Sequence, residues 1–240
     1  MELLKDRVAM ITGGTGALGR AVGEHFLANG AKVAVPWIVE PEVPLFHERM
    51  ANRFPASSIH LGKVDLGDEQ QVGKFVDDVV KKFGKLDILI NLVGGFWGGK
   101  TIAETTVAEW QAMFDLNLKP TFLCCRAAVP VMQKNKYGRI VSVSSRTGLL
   151  GAGEYAAYAI AKGTIKTFTA SLAEEVLGDN VLVNAIAPST IDTEANRKSM
   201  PKAKHENWVK PEDIAKALAY LCSDQNQVTS GAVVPVYGRA

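Results

Sequence analysis

Tyr158 stands four residues before Lys162 in the stretch "GEYAAYAIAKG", a spacing that puts both side chains on one face of a helix. A phenol and an ammonium held together can move a proton. The cation favours the phenolate and draws the tyrosine below its ordinary pKa of about 10. Such a group protonates a carbonyl oxygen, or deprotonates an alcohol in the reverse direction. Ser145, at the end of the apolar run "GRIVSVSS", supplies a hydroxyl to hold the reacting oxygen where charge develops. Asn117 lies in the polar break "LNLK". Tyr155 has the wrong spacing for Lys162 and is expected to pack or to line the pocket.

A second group binds rather than reacts. "ITGGTGALG" (11–19) follows the first apolar run and opens an amphipathic stretch, with Gly13, Gly16 and Gly19 three apart. Glycines let the chain turn tightly and approach a pyrophosphate, whose charge the helix N-terminus then favours.

The elements that must hold these groups follow from periodicity. Apolar runs at 7–12, 32–37, 58–64, 86–91, 138–145, 180–188 and 232–237 read as strands. Helical stretches at 17–30, 44–54, 69–84, two within 106–135, 154–178 and 211–223 separate them. Seven strands joined mostly by helices imply crossover units and a mainly parallel sheet covered on both faces. No linker or repeat divides the 240 residues, so one domain spanning 1–240 is expected. Its longest irregular stretch, about 188–210, is a candidate substrate lid.

Composition narrows the function. Net charge is +2 with acids and bases interspersed, and no basic stripe invites nucleic acid. No apolar run approaches the roughly 18–20 residues of a membrane span, and "MELLKDRVAMITGG" lacks a signal-peptide layout. Cys124, Cys125 and Cys222 form no CxxC pair and are odd in number, which suits reduced thiols and a cytoplasmic location. The four histidines are scattered, so no metal site is expected.

Together these residues resemble the short-chain dehydrogenase/reductase superfamily over the whole chain. Asn117, Ser145, Tyr158 and Lys162 match its catalytic tetrad position by position. The loop resembles its TGxxxGxG motif, with Ala17 at the middle glycine; "NLVG" (91–94) resembles NNAG, and "APSTIDT" (187–193) resembles PGxxxT with Ser189 for glycine. The resemblance implies a single doubly wound Rossmann-type α/β domain with strand order 3-2-1-4-5-6-7, and NAD or NADP as cofactor. It implies that Lys162 also holds the nicotinamide ribose and that Asn117 tethers a proton-relaying water. Cofactor contacts then fall on Gly13, Thr15, Gly16, Ala17, Leu18 and Gly19 of the loop. Further contacts fall on Asp65 and Leu66, on Asn91, Val93 and Gly94, and on Pro188, Ile191 and Thr193, besides Tyr158 and Lys162. An acid closing the second strand binds the ribose in NAD enzymes, but Pro36 and Trp37 stand there. Trp37 either stacks on the adenine or fills space, and the choice between NAD and NADP stays open.

The substrate is read from "GGFWGG" and "IDTEANRKSMPKAKHENW" (191–208), which resemble dihydropteridine reductases. Phe96 and Trp97 either stack on a flat ring or pack beneath the lid, with Gly95, Tyr155 and Ser189 beside them. Ser145 favours a carbonyl, so a planar ring ketone or a pterin is expected. The alternatives are a 3-oxoacyl thioester reductase and a nucleotide-sensing regulator without catalysis. Helices at about 119–135 and 154–178 resemble the family's subunit interface, which implies a homodimer or homotetramer.

Overall fold

A computed structural model describes residues 2–50 and 52–239. Seven strands form one parallel sheet: β1 (Val8–Thr12), β2 (Lys32–Trp37), β3 (Ile59–Lys63), β4 (Ile88–Asn91), β5 (Gly138–Val143), β6 (Val181–Pro188) and β7 (Val233–Val236). They lie in the order β3-β2-β1-β4-β5-β6-β7, as the doubly wound reading requires. The helices are α1 (Ala17–Ala28), α2 (Glu42–Met50), α3 (Glu69–Phe83), α4 (Val107–Asn117), α5 (Lys119–Asn135), α6 (Arg146–Leu150), α7 (Ala156–Glu175), α8 (Glu194–Ser199) and α9 (Pro211–Cys222).

The period-two alternation of each strand sorts its side chains between two cores. Ile11, Val33, Ile90 and Val141 meet Phe26 of α1, Phe46 of α2 and Leu218 of α9 on one face. Met10, Ala34, Leu89 and Ile140 meet Phe75 of α3, Met132 of α5 and Leu172 of α7 on the other. Each large apolar side chain buried this way contributes about 1.5–3 kcal/mol. The sheet is therefore held by packing on both sides rather than by any single bond.

Local signals set the boundaries. Asp68 caps α3 by accepting from the backbone N–H groups of Gln70 and Gln71, and Thr106 with Glu109 forms a capping box on α4. Asn117 is the last residue of α4, and only Leu118 separates it from α5. Pro44 sits in the first turn of α2, where a missing N–H is tolerated. The helix read over 44–54 starts earlier than expected and ends at Met50; Ala51 lies outside the described residues, as do Met1 and Ala240.

Three stretches differ from the sequence reading. Strand β5 stops at Val143, so Ser145 lies beyond it as the N-cap of α6, a helix that the sequence did not announce. Helix α7 is shorter than 154–178 at both ends. The stretch 188–210 is not irregular throughout: it contains α8, and its two ends join where Ile191 bridges Val209. At that neck the Asp192 N–H donates to the Val209 carbonyl at 2.8 Å.

Strand β7 is an edge. The carbonyls of Ala232 and Val236 accept from Ala185 of β6 and from Ser189 just after it, so by alternation the backbone nitrogen of Pro235 faces away from the sheet.

Candidate active site

The strand order reverses between β1 and β4, and a sheet wound this way takes its ligand at the carboxyl ends of those two strands. Thr12 joins them there, its hydroxyl accepting from the N–H groups of Leu92 (3.0 Å) and Val93 (3.3 Å). The glycine loop needs bare backbone: a Cβ on Gly19 would lie 2.1 Å from the Gly13 carbonyl oxygen. Gly16 is the N-cap of α1 and offers no side-chain bond, which leaves the first N–H groups of that helix for an anion. Ala17, the departure from the motif, is exposed as the first residue of α1, so its methyl group displaces nothing. Leu18 packs partly against the first core. This cradle fits a dinucleotide pyrophosphate.

Asn117, Ser145, Tyr158 and Lys162 come from three segments: the end of α4, the start of α6, and α7. Gly148 of α6 approaches α7 so closely that a Cβ there would stand 2.8 Å from the Gly163 nitrogen. The Ser144 hydroxyl donates to the Lys162 carbonyl at 2.7 Å. These two contacts bring the start of α6 against α7, and the Ser145 and Tyr158 hydroxyls are hydrogen-bonded. The Lys162 Nζ donates to the Val143 carbonyl at 2.9 Å. Asn117 clasps the loop after β4, accepting from the Gly95 N–H at 3.1 Å and donating to the Gly95 carbonyl at 3.0 Å. A Cβ on Gly94 would lie 2.6 Å from Asn117 Oδ1 and 2.8 Å from Lys162 Nζ. Asn117, Gly94 and Lys162 thus share one small space.

The electrostatics differ from the expectation that lysine lowers the tyrosine. Burial pushes the Tyr158 phenol above its ordinary value, and the bond to Ser145 pulls it only partly back. Burial also lowers the Lys162 ammonium to about 8. The reason is burial: desolvation dominates both groups.

Other expected residues divide. Phe96 is 66% exposed, and its ring lies 5.0 Å from Tyr158 and 5.3 Å from Tyr155. Trp97 instead packs with Met113 and Ala157 in a small core, so space-filling describes Trp97 and not Phe96. Tyr155 packs against Gly98, where a Cβ would meet its ring. The Asn91 side chain points inward, donating to Ser142 Oγ at 3.1 Å. Thr193 caps α8, accepting from the Asn196 N–H at 3.2 Å, and Ser189 donates to the Tyr237 carbonyl at 2.7 Å. Pro188 ends β6. Asp65, exposed beyond β3, accepts from the Gly67 N–H at 2.8 Å, with Leu66 buried beside it. Trp37 is partly buried beneath the Lys63 ammonium, 5.6 Å from its ring.

Two residues at this edge escaped the sequence reading. Thr12 was visible only as a strand end. Glu42, from the first turn of α2, accepts a 2.7 Å bond from the Thr15 hydroxyl. Counting about 20 residues past the glycine loop, instead of looking only at the end of β2, would have found it.

A model of the short chain dehydrogenase family matches residues 7–204. A 3alpha-hydroxysteroid dehydrogenase of Mediterraneibacter gnavus is 31% identical, with 99% of this chain and 98% of that protein covered. The 3-oxoacyl-[acyl-carrier-protein] reductase FabG of Aquifex aeolicus is 30% identical, with 99% of each covered. Among solved structures, levodione reductase has a TM-score of 0.92 at 28% identity, covering 98% of this chain and 97% of that one. ElxO with NADP bound has a TM-score of 0.90 at 27% identity, covering 97% of each.

Proposed function

The chain belongs to the short-chain dehydrogenase family and is an NAD(P)-dependent oxidoreductase, and from that premise we propose that Tyr158 is its general acid and base. The carrying observation is the Tyr158–Ser145 hydrogen bond, with Lys162 buried one turn along the same helix. When bound, the nicotinamide supplies or accepts the hydride.

The chain's own residues do the rest. The glycine loop and the N-terminus of α1 hold the pyrophosphate. Lys162 holds the nicotinamide ribose, and Asn117 keeps the Gly94–Gly95 turn in place beside it while tethering the water that relays protons. Ser145 donates to the substrate oxygen as negative charge develops. Tyr158 gives that oxygen its proton in reduction and takes one from the alcohol in oxidation. Tyr158→Phe should lower turnover by about 10²–10⁴-fold, with cofactor binding unchanged when followed by nucleotide fluorescence. A variant with a near-normal rate overturns the assignment.

The substrate in this reading is a carbonyl on a planar ring, or a pterin, lying on the exposed Phe96 with 188–210 as its lid; Gly95, Tyr155 and Ser189 line the same side. A 3-oxoacyl thioester is the second reading, favoured by the likeness to the FabG reductase. Oxidation of NADH and NADPH, with quinonoid dihydropterin, a cyclic ketone and an acetoacetyl thioester offered separately, decides between them. The protein works as a dimer or tetramer through α5 and α7, and in the cytoplasm, where its three free, buried thiols stay reduced.

A further inference from the structure

We infer that Glu42 makes this site select NAD(H), whose adenosine ribose carries a free 2′-hydroxyl, over the 2′-phosphorylated NADP(H). The inference rests on the cofactor placement proposed above and goes beyond it. The end of β2 carries no carboxylate, since Pro36 and Trp37 occupy it. Helix α2 returns one to the same edge from further along the chain. The Thr15 hydroxyl donates to Glu42 Oε2 at 2.7 Å, and Thr15 is itself only 3% exposed. A Cβ on Gly16 would lie 3.9 Å from Glu42 Oε1 and 4.0 Å from Oε2. The carboxylate therefore hangs over the glycine loop at its adenosine side, where β1 adjoins β2.

Its chemistry discriminates. An ionised carboxylate is an acceptor with about four lone-pair sites, and Thr15 uses one of them. A ribose diol brings two O–H donors that suit the remainder. A 2′-phosphate brings only acceptors and further negative charge, and like charges in contact cost several kcal/mol. The cations nearby are engaged differently: Arg20 Nη1 donates to the Thr15 carbonyl at 2.6 Å, and Lys63 lies over the Trp37 ring. Lys63 is the residue that would serve a phosphate if the preference ran the other way.

The test is the pair of dissociation constants for NADH and NADPH, measured by nucleotide fluorescence on the wild type, Glu42→Gln, Glu42→Asp and Lys63→Ala, each with its melting temperature. The wild type should bind NADH at least about 30-fold more tightly. Glu42→Gln should shrink that ratio about tenfold, chiefly by tightening NADPH. Glu42→Asp keeps the charge and should keep the preference, which secures the test if the glutamine variant unfolds. Lys63→Ala should leave NADH favoured. If Glu42 merely tied α2 to the loop, Glu42→Gln would weaken both dinucleotides equally, and that result overturns the inference. Tighter NADPH binding by the wild type overturns it too, while leaving the proposed function intact. Binding of neither dinucleotide overturns both.

Discussion

The Tyr158 phenol, raised by burial, keeps its proton through the neutral range. That state suits a general acid, so reduction should run at full rate near neutrality and fall only in the alkaline range. Oxidation needs the phenolate, and its kcat/KM should climb as pH rises; profiles of both directions check this, and parallel profiles contradict it. Lys162 makes a second prediction. Its pKa in the folded protein, about 8, lies below the ordinary 10.5. Below about pH 8 folded and unfolded chains both carry that proton, and the cost of burying it is fully present. Between about 8 and 10.5 the unfolded chain binds more protons, so stability rises with pH relative to a chain without this lysine. Lys162→Met should abolish turnover yet stabilise the cofactor-free protein near pH 7 by about 1–3 kcal/mol. Melts of both proteins across pH should show the advantage shrinking towards 10.5; a constant advantage sinks the account. At this scale spacing placed Tyr158 and Lys162 one turn apart on a single helix. It did not reveal that Lys162 spends a hydrogen bond on Val143, because that carbonyl arrives from another strand.

Among the elements, α6 shows most clearly what position costs. Its five residues, "RTGLL", are too few to display a helical period, so the sequence offered no sign of it. Yet α6 begins at Ser145 and lies against the helix of Tyr158 through the close approach of Gly148 to Gly163. Gly148→Ala should separate the two helices and lower kcat at least about tenfold, since small displacements at a reacting centre are that costly. Circular dichroism should still show the folded chain; a normal kcat would mean that the contact does not position Ser145. A cap at the start of α3 supplies the contrast. Asp68→Ala should lower the melting temperature without lowering kcat at saturating cofactor, read from thermal melts beside assays. The long helices and apolar strands were legible because each repeats its period several times. Glu42 was not, since the expected carboxylate was sought on β2 and the chain delivers it from α2.

For the molecule as a whole, the alternation of strands and helices foretold the parallel two-faced sheet, and the family resemblance supplied the strand order. Neither forecast the neck at Ile191 and Val209, which pairs residues across a stretch with no periodicity. Phe122 on α5 is 46% exposed, a large apolar surface on the proposed interface. Phe122→Glu should shift the mass seen by light scattering towards the monomer, whereas an unchanged assembly would place the interface elsewhere. Pro235 bears on the same question from the other direction. A sheet ending in an open strand invites the next molecule to add its own strand, and growth by that route has no natural stop. With Pro235 facing outward, the border strand lacks a backbone donor where an incoming strand would need one. The fold thus shuts the route to endless filaments at this border, and Pro235→Val should reopen it, seen as slow, concentration-dependent fibril growth that the parent protein does not show.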